Sequence, residues 1–216
     1  AAVILDMDRV PVGLADSKQL RPEVRAALFE EIVATSLVGV AIGEVARIDR
    51  DNILGATLWA MATAVGELPA RPAVALVDGN QAPKLTCPAQ TVVQGDALSA
   101  SIAAASIVAK VTRDRLMVAL ADAFPGYGFD RHKGYGTPEH RLALARLGVT
   151  PHHRRSFQPI RELLAGVDVQ TPGEAEFSMS GTAVAASPGL SQDCATDAGT
   201  PARSRGRQGV RSRGRD

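Results

Sequence analysis

The chain has 216 residues, a formal net charge of +1 and 45% apolar residues. That length suits one domain of about 150 residues plus an appendage, and no run approaches the ~20 apolar residues of a membrane-spanning helix. The near-neutral charge argues neither for nor against a nucleic-acid partner, and two cysteines, Cys87 and Cys194, make no disulfide framework, which points to a reducing, cytoplasmic compartment.

Ala1 to Leu5 reads as a strand, and with no basic region ahead of it is no signal peptide. Asp16-Ser17-Lys18 then forms a loop before a helix, where a hydroxyl and a lysine can hold a phosphate or simply face solvent. The pattern predicts a helix over 21–35 with Val24, Leu28 and Ile32 inward and Arg25, Glu30 and Glu31 off that face. A strand over 37–43 follows, then a helix over 44–66, apolar at Ile53, Leu54, Leu58, Met61 and Val65, with Trp59 in the core.

The run Ala73 to Val77 ends abruptly at Asp78-Gly79-Asn80, the pattern of a buried strand with a carboxylate at its C-terminal edge. Asp96 follows Val92, Val93 and Gly95 and stands ahead of a small-residue helix over 99–123. Each aspartate has an ordinary explanation, Asp78 as a turn residue and Asp96 as a helix cap. Together, at the ends of neighbouring strands, they can converge on one point. Two such charges need a cation between them, and oxygen-only ligands select a hard one, Mg²⁺ or Mn²⁺.

Residues 124–129 form a turn-rich loop, and Arg131 to Thr137 (RHKGYGT) brings a cation and an aromatic face, Tyr135, into a glycine loop. A helix over 138–147 is framed by Thr137 as N-cap, Pro138 at its first position and Gly148 as its stop. His152 and His153 in HHRRSF lack the spacing of a zinc site. Composition divides the chain into a domain over 1–164 and a disordered tail over 165–216, basic at Arg203, Arg205, Arg207, Arg211, Arg213 and Arg215. Such a tail binds nucleic acid weakly and in a salt-dependent way, or is inert.

Taken together, DSK, ARIDRDNI, DGN, PKL, GD, SIAAASI, AK, HKGYGT and HRRSF closely resemble ribonuclease HII, the type 2 ribonuclease H family, from residue 1 to about Ile160. The resemblance implies an α/β domain, a ribonuclease H-like mixed sheet flanked by helices, with a small C-terminal helical part. It implies endonucleolytic hydrolysis of the RNA strand, or of single embedded ribonucleotides, in RNA–DNA duplexes, leaving 5′-phosphates by two-metal-ion catalysis. Asp78 and Asp96 match two of four metal-binding carboxylates. Ser17, Lys18, Ser106, Lys110 and Tyr135 match substrate-holding positions, although Lys110 also reads as an ordinary helix lysine. The Asp and Asn of ARIDRDNI match structural positions. The enzyme implied is a monomer that uses Mn²⁺ or Mg²⁺.

The family's DEAGRG element, source of the other two carboxylates, has no match in the sequence. The expectation is therefore a chain that lacks its N-terminal hairpin strand and hydrolyses little as it stands. Asp6 and Asp16 are the first candidates to complete the site should it prove active. The alternative is a catalytically incompetent fragment that only binds nucleic acid. An integrase- or resolvase-type nuclease is disfavoured by the HKGYGT and DSK blocks.

Overall fold

The structure, a computed structural model, describes residues 1–165. Its axis is the long helix α4 (Ala100–Ala123), a rod of about 36 Å at 1.5 Å per residue. Small and branched side chains make it a surface that other elements can approach closely. At its first half, Ala104, Ile107, Val108 and Val111 pack against Leu28, Phe29 and Ile32 of α1 (Pro22–Thr35) and against Leu5, just past β1 (Ala2–Ile4). At its second half, Met117 and Leu120 pack against Tyr127, against Phe129 of α5 (Phe129–His132), Ala143 and Leu144 of α6 (Pro138–Leu147), and Ile160 of α7 (Gln158–Ala165). The last three helices are the small C-terminal helical part.

The described strands pair as two two-stranded sheets, one antiparallel and one parallel. β1 runs antiparallel to β2 (Leu37–Gly39), with Ala2 opposite Gly39. Gly39 must be glycine, since a Cβ there would collide with the Ala64 carbonyl of α2 (Val45–Gly66). β3 (Ala75–Asp78) runs parallel to β4 (Ala89–Val92), with Asp78 opposite Val92. That register brings the C-terminal ends of both strands to the same edge.

Several local expectations are corrected. On α1, Val24 is exposed and Arg25 is buried. The guanidinium is drawn in because it donates to the Ser17 and Leu20 carbonyls, at 2.7 and 3.0 Å, and faces Asp114. Helix 44–66 is two helices joined at Asn52, whose φ of 59° breaks the spiral. The Asn52 Oδ1 caps the second half by accepting from the backbone N–H groups of Leu54 and Gly55. Ile53 and Leu54, just past this break, are exposed. Trp59 is half-buried rather than core, with the Arg47 guanidinium 3.8 Å from its ring centroid. β3 buries only Val77, because β4 is its one strand neighbour among the described residues. The strand over 37–43 pairs only as far as Gly39. Thr137, Pro138 and Gly148 frame α6 as the sequence predicts, the Thr137 hydroxyl accepting from the His140 N–H at 3.2 Å. Of the tail predicted as disordered over 165–216, Ala165 is the last residue of α7 and the rest lies outside the described residues.

Candidate active site

Two backbone turns build the site at the shared edge of β3 and β4. Gly79, at φ 93°, turns the chain away directly after Asp78, and Gln94, at φ 56°, turns β4 into the short helix α3 (Gly95–Leu98). Asp96 therefore sits in the first turn of this separate helix rather than at the start of α4. The Gly95 N–H donates to Asp78 Oδ1 at 2.9 Å, which fixes one carboxylate oxygen and leaves the other free. Gly95 is needed there: an added Cβ would sit 2.5 Å from Ile102 Cδ1 and 3.3 Å from Asp78 Oδ1. Gly95→Ala should thus cost about 1–3 kcal/mol through overpacking and displace the Asp78 carboxylate. Thermal unfolding together with Mn²⁺ titration checks this. Unchanged stability and unchanged Mn²⁺ affinity would show that the contact positions nothing.

The DSK loop faces this edge. Asp16 Oδ1 accepts from the Lys18 N–H at 2.9 Å, and the Gln19 N–H donates to the Asp16 carbonyl at 2.9 Å, a tight polar turn. Arg25 clamps the loop from beneath through the Ser17 and Leu20 carbonyls. The Lys18 backbone N–H, the Gln19 amide, the Lys18 charge and a contact to the Asp96 carboxyl hold Asp16 below the ordinary carboxylate range, against the opposing effect of burial. Asp16, Lys18, Asp78, Gly79, Gln94 and Asp96 all line one open cleft of about 490 Å³.

Asp78, Asp96 and Lys18 thus line the same cleft, and Asp16 joins them. The sequence reading named Asp16 only as a reserve candidate, and its position two residues ahead of Lys18 was the available signal. Asp6, the other reserve, is held by Arg9 at 2.9 Å and is not among the cleft's residues. Ser17 is buried. Ser106 donates to the Ala103 carbonyl of its own helix at 3.2 Å, and Lys110 is bound to Asp114 at 2.7 Å. Neither lines the cleft, so for Lys110 the helix-lysine reading describes what is seen. Among the described residues, no three His, Cys, Asp or Glu side chains already close into a metal-binding group. The donor set is nonetheless all carboxylate, the chemistry that suits Mg²⁺ or Mn²⁺.

The second functional region rests on the far half of α4. Arg113 donates to the Lys133 carbonyl at 3.1 Å, holding the HKGYGT loop about 15 Å along the helix from Ala103 at the cleft. Tyr135 projects from this loop with 63% of its surface exposed. The neighbouring HRRSF segment is tied to α2 by Asp49, which accepts from the backbone N–H groups of Arg155 and Ser156, both at 3.0 Å, and from the Ser156 hydroxyl. Burial pushes Asp49 up, but these donors and the nearby Arg154 outweigh it and leave the carboxyl below its ordinary range. Asp49 and Asn52 are therefore structural, as the resemblance implied.

Strands and helices arranged so that a strand end (Asp78), a helix start (Asp96) and a loop (Asp16) meet at one cleft make an α/β fold of the ribonuclease H kind. The structure is similar to the crystal structure of the ribonuclease H2 from Pyrococcus horikoshii OT3, with a TM-score of 0.64 and 23% identity, over 75% of this chain and 87% of that one. That likeness concerns the fold alone. The family model for ribonuclease HII matches residues 1–160. Ribonuclease HII of Azorhizobium caulinodans is 62% identical over 161 residues, which is 74% of this chain and 62% of that protein. Ribonuclease HII of Xanthobacter autotrophicus is 57% identical over 176 residues, 82% of this chain and 70% of that protein. The chain belongs to the ribonuclease HII family.

Proposed function

We propose that the protein is an endoribonuclease that hydrolyses the RNA strand, or single ribonucleotides, in RNA–DNA duplexes to give 5′-phosphate ends, a task that serves ribonucleotide removal in DNA replication and repair. The observation that carries this reading is the cleft itself, where the parallel register of β3 and β4 sets Asp78 and Asp96 beside Lys18 of the DSK loop. Asp78 and Asp96 would hold Mg²⁺ or Mn²⁺, with Asp16 close enough to share the load. Bound there, such an ion supplies water activation and stabilisation of the leaving 3′-oxygen. Lys18, exposed at the cleft, offers its ammonium to a backbone phosphate. Tyr135 offers a stacking face to the nucleotide at the junction. The reading includes a monomeric protein working in the cytoplasm; among the described residues no helix is long and apolar enough to cross a membrane.

One observation favours a second reading, binding without turnover. The sequence contains no DEAGRG element, so the two further carboxylates that the resemblance assigns to it have no counterpart among residues 1–216. Comparing cleavage by residues 1–216 with cleavage by the same chain carrying a DEAGRG strand ahead of Ala1 separates the two. Tyr135→Ala tests the substrate side. It should weaken handling of a DNA–RNA–DNA junction by roughly 1–3 kcal/mol, the worth of one stacked base, measured as binding of a labelled junction duplex. Unchanged junction binding would return Tyr135 to the status of an ordinary surface aromatic.

A further inference from the structure

All four histidines of the sequence fall between residues 132 and 153, and three of them, His132, His140 and His153, are buried beneath the Tyr135 loop. Their partners fix every proton. His140 Nδ1 lies 3.0 Å from the Tyr135 carbonyl, which can only accept, so His140 carries its proton on Nδ1. His153 Nδ1 accepts from the Thr150 N–H at 3.0 Å, so a neutral His153 carries its proton on Nε2. The two Nε2 atoms are 3.0 Å apart, and the assignments agree: His153 donates and His140 accepts. The Thr150 hydroxyl, which accepts from the His152 N–H at 3.2 Å, lies 2.8 Å from His153 Nδ1 and can donate to it as well. His132 stands beside this chain, stacked on His140 at 4.4 Å. It donates from Nε2 to the Tyr127 carbonyl and accepts at Nδ1 from the Gly134 N–H.

We propose that Thr150, His153 and His140 form a one-directional hydrogen-bond relay that ends on the Tyr135 carbonyl, and that His140 and His153 are positioning residues which set the Tyr135 ring for the nucleic-acid strand. The relay joins HRRSF, whose first residue is His153, through His140 of α6 to the Tyr135 carbonyl of the HKGYGT loop. It has no spare valence. A second proton on His153 would face the Thr150 N–H, and a second proton on His140 would face the His153 N–H. Acid therefore breaks the relay at either ring. Burial pushes both imidazoles down, and each also feels the other rings: His140 feels His132, while His153 feels His140, His152 and His132. Beyond these rings, Glu139 is paired with Arg131 and is held low in small part by His132, and Glu44 acts on His152.

The proposal rests on Tyr135 as a substrate contact, and the test keeps the two claims apart. His140→Asn keeps an amide near the Nδ1 position and can still donate to the Tyr135 carbonyl. His140→Gln reaches the Nε2 position and loses that donation. Both go into the full chain, beside Tyr135→Ala and His153→Gln, which retains a donor to His140. Binding of a fluorescein-labelled duplex with one ribonucleotide is followed by anisotropy, and histidine ¹⁵N spectra report the tautomers. The expected result is a proton on Nδ1 of His140 and on Nε2 of His153 at neutral pH. Junction binding should weaken about fivefold in His140→Gln, the ratio expected for one lost hydrogen bond. It should be close to wild type in His140→Asn and His153→Gln, and in the wild type it should hold at mildly acidic pH and weaken only as pH falls toward 4, where the folded His153 takes its second proton. Equal losses in His140→Asn and His140→Gln would mean the rings only fill space, and the opposite tautomers would overturn the relay outright. If Tyr135→Ala binds like wild type while the Tyr135 amide resonance still moves in His140→Gln alone, the relay stands and the substrate role of Tyr135 fails.

Discussion

Asp78→Asn should abolish Mg²⁺- or Mn²⁺-dependent cleavage of a ribonucleotide-containing duplex by the chain carrying a DEAGRG strand, while leaving its unfolding temperature unchanged. The two halves of this expectation come from the two carboxylate oxygens. Oδ1 accepts from the Gly95 N–H at 2.9 Å, and an asparagine carbonyl oxygen can take over that bond, so the link between β3 and α3 survives. The substitution removes the negative charge, and a neutral amide is a poor ligand for a hard divalent ion. Transition-state stabilisation by bound metal is worth several kcal/mol, enough to take turnover below detection. Duplex binding, carried by Lys18 and Tyr135, should persist. Wild-type turnover by Asp78→Asn would remove Asp78 from the site.

The second large effect is on stability in mild acid. Burial, and then the neighbouring His140, hold His153 down from 6.5 to about 4. Its folded-state pKa is lower than its unfolded one, so the unfolded chain binds the extra proton first. The contribution is complete above pH 6.5 and is lost progressively as pH falls toward 4. At 1.36 kcal/mol per unit the loss is on the order of 3 kcal/mol, and His140, lowered for the same reason, adds to it in the same direction. Against a net stability of about 5–15 kcal/mol, a drop of this size is readily visible. Carboxylates held low, such as Asp49 and Glu139, lose their contributions mainly below their ordinary values of 3.8 and 4.5. Urea unfolding between pH 7 and pH 5, over which about 2 kcal/mol of the His153 loss falls, therefore isolates the histidines. A flat profile there would mean that the His140–His153 pair is not buried neutral.

What the sequence made legible followed from strong local chemistry. Thr137, Pro138 and Gly148 marked α6 because a cap, a pre-set φ and a stop each act within a turn of their own position. Asp78 and Asp96 each had an ordinary local explanation, and it was the resemblance of the whole run from DGN to AK to ribonuclease HII that paired them. The misreadings came from interactions distant in sequence. Arg25 looks like a solvent-facing arginine until the DSK loop carbonyls and Asp114 are seen folded over it. The break at Asn52 is the local exception, since its side chain caps Leu54 and Gly55 two and three residues on and restarts the helix within one turn. Tyr127 sits in a glycine- and proline-rich stretch that reads as surface loop. Yet its ring is core, and its hydroxyl donates to the carbonyls of Leu147 and Gly148, both at 3.0 Å. The histidine relay was illegible for the same reason, since nothing in the spacing of His140 and His153 announces that their rings meet.

A metal-dependent active site at the ends of β3 and β4 requires that this cleft take a hard divalent ion. Mn²⁺ titrated into ¹⁵N-labelled residues 1–216 answers this, because paramagnetic broadening detects even weak binding and locates it. Broadening should appear first at Asp16, Asp78, Gly95, Asp96 and Ala97, and Asp78→Asn should suppress it. Broadening centred on any other acidic surface, or an unchanged pattern in Asp78→Asn, would contradict the assignment of this cleft as the metal-dependent active site.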